Sequence, residues 1–124
     1  MDIEELISTI IECAYNVRFQ LGPGFLESVY KNALILELGK NDIACESEYP
    51  INVMYDDVVV GEFRADLIVE KKVIIELKAV SNIVAAHEVQ LVNYLSATHI
   101  DNGLLINFGA SKLEVKRKYR IYRK

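Results

Sequence analysis

One stretch of the sequence decides the fold: residues 63–78, which read FRADLIVEKKVIIELK. Aliphatic and β-branched residues fill both ends of the stretch, and the charged residues 70–72 separate them. This pattern predicts two antiparallel strands joined by a tight turn. Because side chains alternate between the two faces of a strand, Glu76 and Lys78 should share one face of the second strand. On the first strand, one face should carry Ala65, Leu67 and Val69.

The register of this hairpin determines which side chains meet across it. A hairpin centred on Lys71 places Asp66 directly opposite Glu76, whereas a one-residue slip places Asp66 opposite Leu77. Two facing carboxylates repel each other on a sheet, so the pair needs a positive charge between them. A divalent cation and the ammonium of Lys78 are the two candidates.

The alternative interpretation is that these charges lie on a solvated strand face, with Lys78 in an ordinary ion pair. For Asp66 alone that alternative is favoured. The order and spacing of Asp66, Glu76 and Lys78 together favour a metal site. Their pattern, D-x9-E-x-K, resembles the core signature of the PD-(D/E)XK nuclease superfamily, with Ala65 in place of the proline in the name.

A second motif lies upstream, where Gly24, Glu27 and Tyr30 form G-x-x-E-x-x-Y. An acid near a helix N-terminus is stabilised by the helix dipole, and a tyrosine there is normal packing, so both residues have an ordinary explanation. The motif nevertheless matches the one for which the GxxExxY proteins, a small branch of that superfamily, are named. The resemblance implies that Glu27 joins the metal site.

A third motif lies on a helix predicted for residues 84–97, where Gln90 and Tyr94 are four residues apart and share a face. The ordinary interpretation is one polar surface residue and one partly buried ring. A Q-x-x-x-Y helix after the E-x-K strand resembles exonuclease-type members of the superfamily, in which the glutamine contacts substrate or orients the lysine. His87 is interpreted as a surface residue and is not included in the metal site.

The order of elements agrees with the αβββαβ core of the superfamily. We expect an α/β (α+β) fold with a restriction-endonuclease-like mixed sheet flanked by helices, an extra N-terminal helix and a C-terminal edge strand. Hydrophobic periodicity and the glycine and proline positions predict the bounds. The helices should cover about 2–19, 26–38 and 84–97, the last capped by Ser81 or Asn82. The strands should cover about 43–55, 58–69 (with a bulge or bend at Gly61), 73–80, 104–108 and 113–122.

Length and composition set limits on this interpretation. The chain has 124 residues and 52% hydrophobic content, which predicts one folded domain over residues 1–124. No apolar run approaches the roughly 20 residues needed to span a bilayer, and the amino terminus is acidic where a signal peptide is basic. We therefore expect a cytoplasmic protein without a membrane partner. Cys13 and Cys45 do not form a disulfide framework.

The charge distribution is asymmetric. The net charge is −4, yet residues 112–124 contain one acid and seven basic residues. Two interpretations stay open: an arm that contacts phosphates, or an edge strand protected by its lysines. The basic residues are Lys112, Lys116, Arg117, Lys118, Arg120, Arg123 and Lys124.

The resemblance implies a metal-dependent nuclease that acts on nucleic acid, DNA in particular, with Mg²⁺ (or Mn²⁺) as its cofactor. The implied ligands are the side chains of Glu27, Asp66 and Glu76 and the backbone carbonyl of Leu77. Lys78 would act on the nucleophile, with Gln90 and Tyr94 in support. One alternative is a catalytically silent nucleic-acid-binding or scaffold subunit with the same fold. Another is a purely structural partner module that uses residues 2–19 for dimerisation. The expected assemblies are a homodimer or a larger nuclease complex.

Overall fold

The computed structural model describes residues 1–121. Its elements follow the predicted order of two helices, three strands, a helix and two strands. The helices are α1 (Ile3–Leu21), α2 (Glu27–Lys40) and α3 (Ala85–Thr98), and the strands are β1 (Cys45–Tyr55), β2 (Val58–Val69), β3 (Val73–Lys78), β4 (Asn102–Asn107) and β5 (Glu114–Tyr119). Within residues 1–121, no helix has the length and apolar character that crossing a membrane requires.

Most of the differences from the prediction are small shifts in element ends. The prediction that Ser81 or Asn82 caps α3 is wrong, because the helix begins after Val84. The ring Nδ1 of His87 accepts a hydrogen bond from the Val84 N–H at 3.2 Å, so this histidine holds the first turn. The last strand ends at Tyr119, and residue 122 of its predicted span lies outside the described residues.

The five strands form one mixed sheet in the order β1-β2-β3-β4-β5. All neighbours are antiparallel except β3 and β4, which are parallel and are connected through α3. A parallel pair requires such a crossover, because its strands run in the same direction. Most of β4 is buried, as expected for a strand covered on both faces.

The helices cover the sheet from two sides. Beneath α1 and α2 lies the larger hydrophobic cluster, to which β3 contributes Val73, Ile75 and Leu77. The smaller cluster lies beneath α3 and includes Ile74 from the same strand. The period-two alternation of β3 therefore places Glu76 and Lys78 on the side of the sheet that α3 covers.

The β2–β3 hairpin has the predicted register. Leu67 pairs with Ile75, and Val69 pairs with Val73. The Lys72 N–H donates to the Val69 carbonyl at 2.9 Å, and the residues between them have positive φ angles, 51° at Glu70 and 55° at Lys71. Consecutive positive φ angles are typical of tight hairpin turns.

Strand β1 pairs with β2 along most of its length, with two irregularities. One is a register shift between Val53 and Met54, next to Gly61, where a bulge or bend was expected. The other is at Glu48, whose φ of 53° is in the left-handed region that non-glycine residues rarely adopt. The second irregularity lies beside the candidate site.

Candidate metal and nuclease site

The sheet splits between β2 and β3 at the two facing acids. Regular pairing extends only to Leu67 and Ile75. Beyond that point the Asp66 N–H donates to Glu76 Oε1 at 3.3 Å, and the Leu77 N–H donates to Asp66 Oδ2 at 2.8 Å. Carboxylate oxygens thus take the place of the carbonyl acceptors of an ordinary ladder. The split places two acids inside the sheet.

The regular alternation of β2 side chains between the two faces of the sheet is interrupted at the same point. Leu67 and Val69 pack beneath α1 and α2, as predicted, but Ala65 packs in the cluster beneath α3. The prediction that all three share one face is therefore wrong at Ala65. The change coincides with the point where regular pairing between β2 and β3 ends, at Leu67 and Ile75, so residues before Leu67 are not held to the face alternation of that ladder.

The environment of Glu76 favours its protonated form. Its side chain is 5% exposed. Burial, then the charge of Asp66 and a hydrogen bond with the Asp66 side chain, raise the pKa of Glu76 to about 9, against the opposing effects of the Asp66 N–H and the Lys78 ammonium. Without a metal ion, Glu76 therefore carries a proton at neutral pH.

Glu27 approaches the split from α2, where it is the first residue of the helix. Burial and the charge of Asp66 raise the pKa of Glu27, whereas Lys78 and Lys31 lower it. Glu27, Asp66 and Leu77 line a common cavity of about 190 Å³. The structure thus brings three of the predicted ligands to one place.

Three further residues line this cavity and were not predicted from the sequence: Ser28, Lys31 and Glu48. Lys31 and Glu48 form an ion pair there, with 2.7 Å between Nζ and Oε1. Lys31 lies four residues after Glu27 and therefore on the same helix face, a spacing that could have identified it. The β1–β2 register places Glu48 opposite Asp66, and nothing in the sequence indicates its left-handed backbone.

The G-x-x-E-x-x-Y motif positions Glu27 through its loop. Gly24 has a φ of 107°, which favours glycine. The Tyr30 hydroxyl donates to the Gly22 carbonyl at 2.7 Å and accepts from the Phe25 N–H at 3.1 Å, so it holds the turn that enters α2. Its buried ring stacks on Phe108 with 4.6 Å between centroids. Tyr30 therefore does more than the packing that the sequence predicted.

Asn107 on β4 is another residue that the sequence analysis missed. It is fully buried, pairs in the ladder with Lys78, and bonds both the N–H and the carbonyl of Val80 at 3.0 and 2.8 Å. Gly109 packs so closely here that a Cβ would lie 2.5 Å from the Ala79 carbonyl carbon. These contacts fix the backbone that follows Lys78. The signal in the sequence is a polar residue inside an apolar strand.

Gln90 and Tyr94 lie on α3, beside a larger groove of about 890 Å³ between that helix and the β1–β2 hairpin. Tyr94 is 7% exposed, and burial together with the charges of Glu76 and Asp66 raises the pKa of its hydroxyl. Tyr94 therefore lies near the carboxylates. Gln90 lines the groove and is exposed.

The oxygen atoms at the split are suitable ligands for a hard cation, but their side chains are not arranged to hold one. Carboxylate and backbone carbonyl oxygens are the ligands that Mg²⁺ prefers. Among residues 1–121, however, no three His, Cys, Asp or Glu side chains are arranged to hold a metal ion. Two of the acids instead bond main-chain N–H groups. Metal binding therefore requires these carboxylates to turn and Glu76 to lose its proton.

The basic residues among residues 112–120 lie on or beside an ordered edge strand, β5. Lys116 and Lys118 pair with Glu88 of α3, at 3.7 and 3.1 Å, and Arg117 pairs with Glu4 of α1 at 2.7 Å. Arg120 pairs with Asp101 at 3.0 Å. These contacts support the edge-strand interpretation over a free arm for the described residues.

Nucleic-acid contacts by Lys112, Lys116, Arg117, Lys118 and Arg120 remain a prediction. Two other basic residues of the segment, numbers 123 and 124, lie outside the described residues.

Comparisons with known proteins agree with this geometry. A family model described as the PD-(D/E)XK nuclease superfamily matches residues 4–118. A search of curated proteins found no match. The crystal structure of SSO0001 is similar in fold, with a TM-score of 0.61 and 20% sequence identity. The match covers 77% of this chain and 50% of that chain, so this chain spans about half the length of that protein.

Proposed function

This chain belongs to the PD-(D/E)XK nuclease superfamily, and on that premise we propose that it is a metal-dependent nuclease that hydrolyses phosphodiester bonds in nucleic acid, DNA in particular. The observation that carries the proposal is the split between β2 and β3. There Asp66 and Glu76 face each other inside the sheet, and the charge of Lys78 acts on Glu76. Within the superfamily, the G-x-x-E-x-x-Y motif supports placement in the GxxExxY branch.

The proposed cofactor is Mg²⁺ (or Mn²⁺), held by the carboxylates of Glu27, Asp66 and Glu76 and the backbone carbonyl of Leu77. Such an ion polarises a phosphoryl oxygen and lowers the pKa of a bound water. The cavity lined by Glu27, Asp66 and Leu77 supports this proposal, because a scissile phosphate bound there would lie next to these oxygens.

Lys78 acts on the nucleophile or on the phosphate through its positive charge. Its ammonium orients the attacking water or stabilises the negative charge that develops on the phosphate. Tyr94 supports the site from α3, because its hydroxyl lies in the field of the two acids, and Gln90 acts from the same helix on the bound substrate. Glu76 holds a proton at low metal concentration and releases it on loading, so activity should rise with pH across the neutral range.

The test is cleavage of linear and circular DNA with Mg²⁺ or Mn²⁺ by the wild type and the Asp66→Asn variant. Asp57→Asn is the matched control, because it removes an exposed acid from the β1–β2 turn. We expect the first substitution to abolish cleavage and the control to leave it unchanged. Equal rates in the wild type and Asp66→Asn would refute the assignment, because the cleavage would then come from a contaminant.

A specific observation favours a second candidate, a catalytically silent nucleic-acid-binding or scaffold subunit. The acids at the split already bond main-chain N–H groups, and Glu76 is buried and protonated. This candidate predicts salt-sensitive binding that depends on Lys112 and the basic residues of β5 and is indifferent to Asp66→Asn. Light scattering of the free and bound protein would determine whether it acts as a homodimer or within a larger nuclease complex.

A further inference from the structure

The groove between α3 and the β1–β2 hairpin has a volume of about 890 Å³. Phe63 of β2 lies in its wall with 44% of its surface exposed. The Phe63 ring leans on that of Tyr94, with 5.8 Å between centroids and 45° between planes. Tyr94 lines the groove and lies within range of the charges of Glu76 and Asp66, so the groove lies beside the candidate site.

The lining of the groove is apolar with amide groups at intervals. Val53, Met54 and Val89 supply apolar surface, and Val89 is 59% exposed. Three amide side chains also line the groove: Asn52, Gln90 and Asn93. In the described part of the chain, none of the residues that line it is Asp, Glu, Lys or Arg.

These features identify the chemistry of the occupant. A groove without lysine or arginine does not bind a phosphate backbone by charge neutralisation, so its contacts must be with the bases. An exposed aromatic ring flanked by amides instead matches a nucleobase, because a base has a flat apolar face and a hydrogen-bonding edge. In a duplex both faces are stacked and the pairing edge is occupied, so only an unpaired base can enter.

From this chemistry we infer that the groove binds unpaired bases and that the substrate class is single-stranded nucleic acid. Phe63 is the stacking platform, and Gln90 and Asn93 bond base edges. The strand then continues past Tyr94, so that a phosphate adjoining the bound bases reaches Asp66 and Glu76. This inference rests on the proposed function for its second half, cleavage, but not for its first half, binding.

A single-tryptophan variant tests the binding directly. The chain has no tryptophan, so Phe63→Trp places the only indole in the groove, and Phe19→Trp places it on a 92% exposed position of α1 as the control. Each variant is titrated in EDTA, which prevents cleavage, with a single-stranded oligonucleotide and with a hairpin duplex of the same composition. We expect quenching of Phe63→Trp by the single strand, little quenching by the duplex, and none of Phe19→Trp by either.

Affinity measurements complete the test. In fluorescence anisotropy with a labelled single strand in EDTA, Phe63→Ala should weaken binding about tenfold, the effect of losing one stacked base. Phe63→Tyr should restore binding, and Phe19→Ala should bind as the wild type does. Circular dichroism melting identifies any variant that has lost its fold, and in that case the tyrosine and tryptophan variants decide the question.

The outcomes separate the two claims. Single-strand binding that requires Phe63, without any cleavage, would support the groove and refute the nuclease proposal. Cleavage of duplex DNA that is indifferent to Phe63→Ala would refute the groove and leave the nuclease proposal standing. Equal quenching by duplex and single strand would also refute it. A dimer that Phe63→Ala dissociates, with no binding of oligonucleotide, would assign the groove to a protein interface and refute the inference.

Discussion

The two halves of β3 belong to one strand but are held in different ways. In the first half, Val73–Ile75, the strand pairs with β2 on one side and β4 on the other, and its side chains are fully buried. In the second half, Glu76–Lys78, pairing with β4 continues while side-chain carboxylates take over the bonds toward β2. The first half stabilises the fold by burying apolar surface, whereas the second half buries an acid whose pKa rises to about 9.

The comparison indicates that stability and function are separated along a single strand. Burial of an apolar side chain lowers the free energy of the folded state. Burial of an ionisable acid raises that free energy at pH values above the pKa that the acid has in the unfolded chain. Substitutions in the first half should therefore affect unfolding, and those in the second half should affect activity. Four substitutions test that separation.

Lys78→Ala should have a large effect, and on activity alone. Loss of the ammonium at the split should lower the rate of DNA cleavage about a thousandfold, or ~4 kcal/mol in activation free energy. Lys72→Ala, at the turn before the same strand, is the matched control and should cleave as the wild type does. Initial rates with Mg²⁺ and urea unfolding curves measure the two quantities. A Lys78→Ala variant that cleaves DNA at the rate of the control would contradict the assignment of activity to the second half of β3.

Ile75→Ala should affect stability. The side chain is fully buried beneath α1 and α2, and its truncation leaves a cavity that should cost about 3 kcal/mol of the free energy of unfolding. The midpoint of urea denaturation reports the loss, and the fraction that stays folded should cleave at the wild-type rate. A stability loss below that of an exposed control such as Val60→Ala would show that this half does not carry the fold.

Glu76→Gln should increase stability while it abolishes activity. Between the ordinary pKa of 4.5 and the folded value of about 9, the folded state holds a proton that the unfolded state releases, so wild-type stability falls as pH rises. The glutamine does not titrate. The variant should therefore gain on the order of 5 kcal/mol at pH 8, and the gain should vanish near pH 4.

Thermal unfolding of Glu76→Gln at pH 4, 6 and 8 checks this sign, with the exposed Glu62→Gln as the control. A gain that does not change with pH would mean that Glu76 is ionised in the folded protein. The repulsion between the two facing acids would then have to be offset by something other than protonation of Glu76.

Tyr30→Phe should have the smallest effect, and it should lower both stability and cleavage activity. The variant keeps the stacking on Phe108 but loses the hydroxyl bonds to Gly22 and Phe25, at a cost of about 1 kcal/mol. The loop before Glu27 should loosen, and cleavage should fall several-fold. Tyr15→Phe, on the exposed side of α1, is the control. Unchanged cleavage in a destabilised Tyr30→Phe variant would limit the motif to a structural role.

The regular parts of the fold were predictable from the sequence because they depend on local periodicity. The alternation around residues 63–78 predicted the hairpin and its register, and the apolar run after Gly103 predicted the buried parallel strand. The irregular parts were not. No pattern in the sequence indicates the left-handed Glu48, and the bond from the Val84 N–H to His87, although local, involves a residue type that is not a usual helix cap.

The residues of the candidate site were likewise predictable from the sequence only in part. Asp66, Glu76 and Lys78 stand out because charges are rare in apolar strands, and Glu27 was identified through the resemblance of its motif. Asn107 and Lys31 carry weaker signals, and their partners Val80 and Glu48 lie far away in the sequence, so the folded chain is needed to show what they contact. The groove beside Phe63 forms between two elements and has no signal in either.

The central claim is that the split in the sheet is a metal site, and calorimetric titration with Mn²⁺ or Mg²⁺ tests it most directly. Wild-type protein at pH 7, titrated in two buffers of different ionisation enthalpy with a non-cleavable oligonucleotide present, should bind the ion and release about one proton, from Glu76. Asp66→Asn should show no binding. Absence of binding by the wild type, or equal binding by both proteins, would contradict the claim.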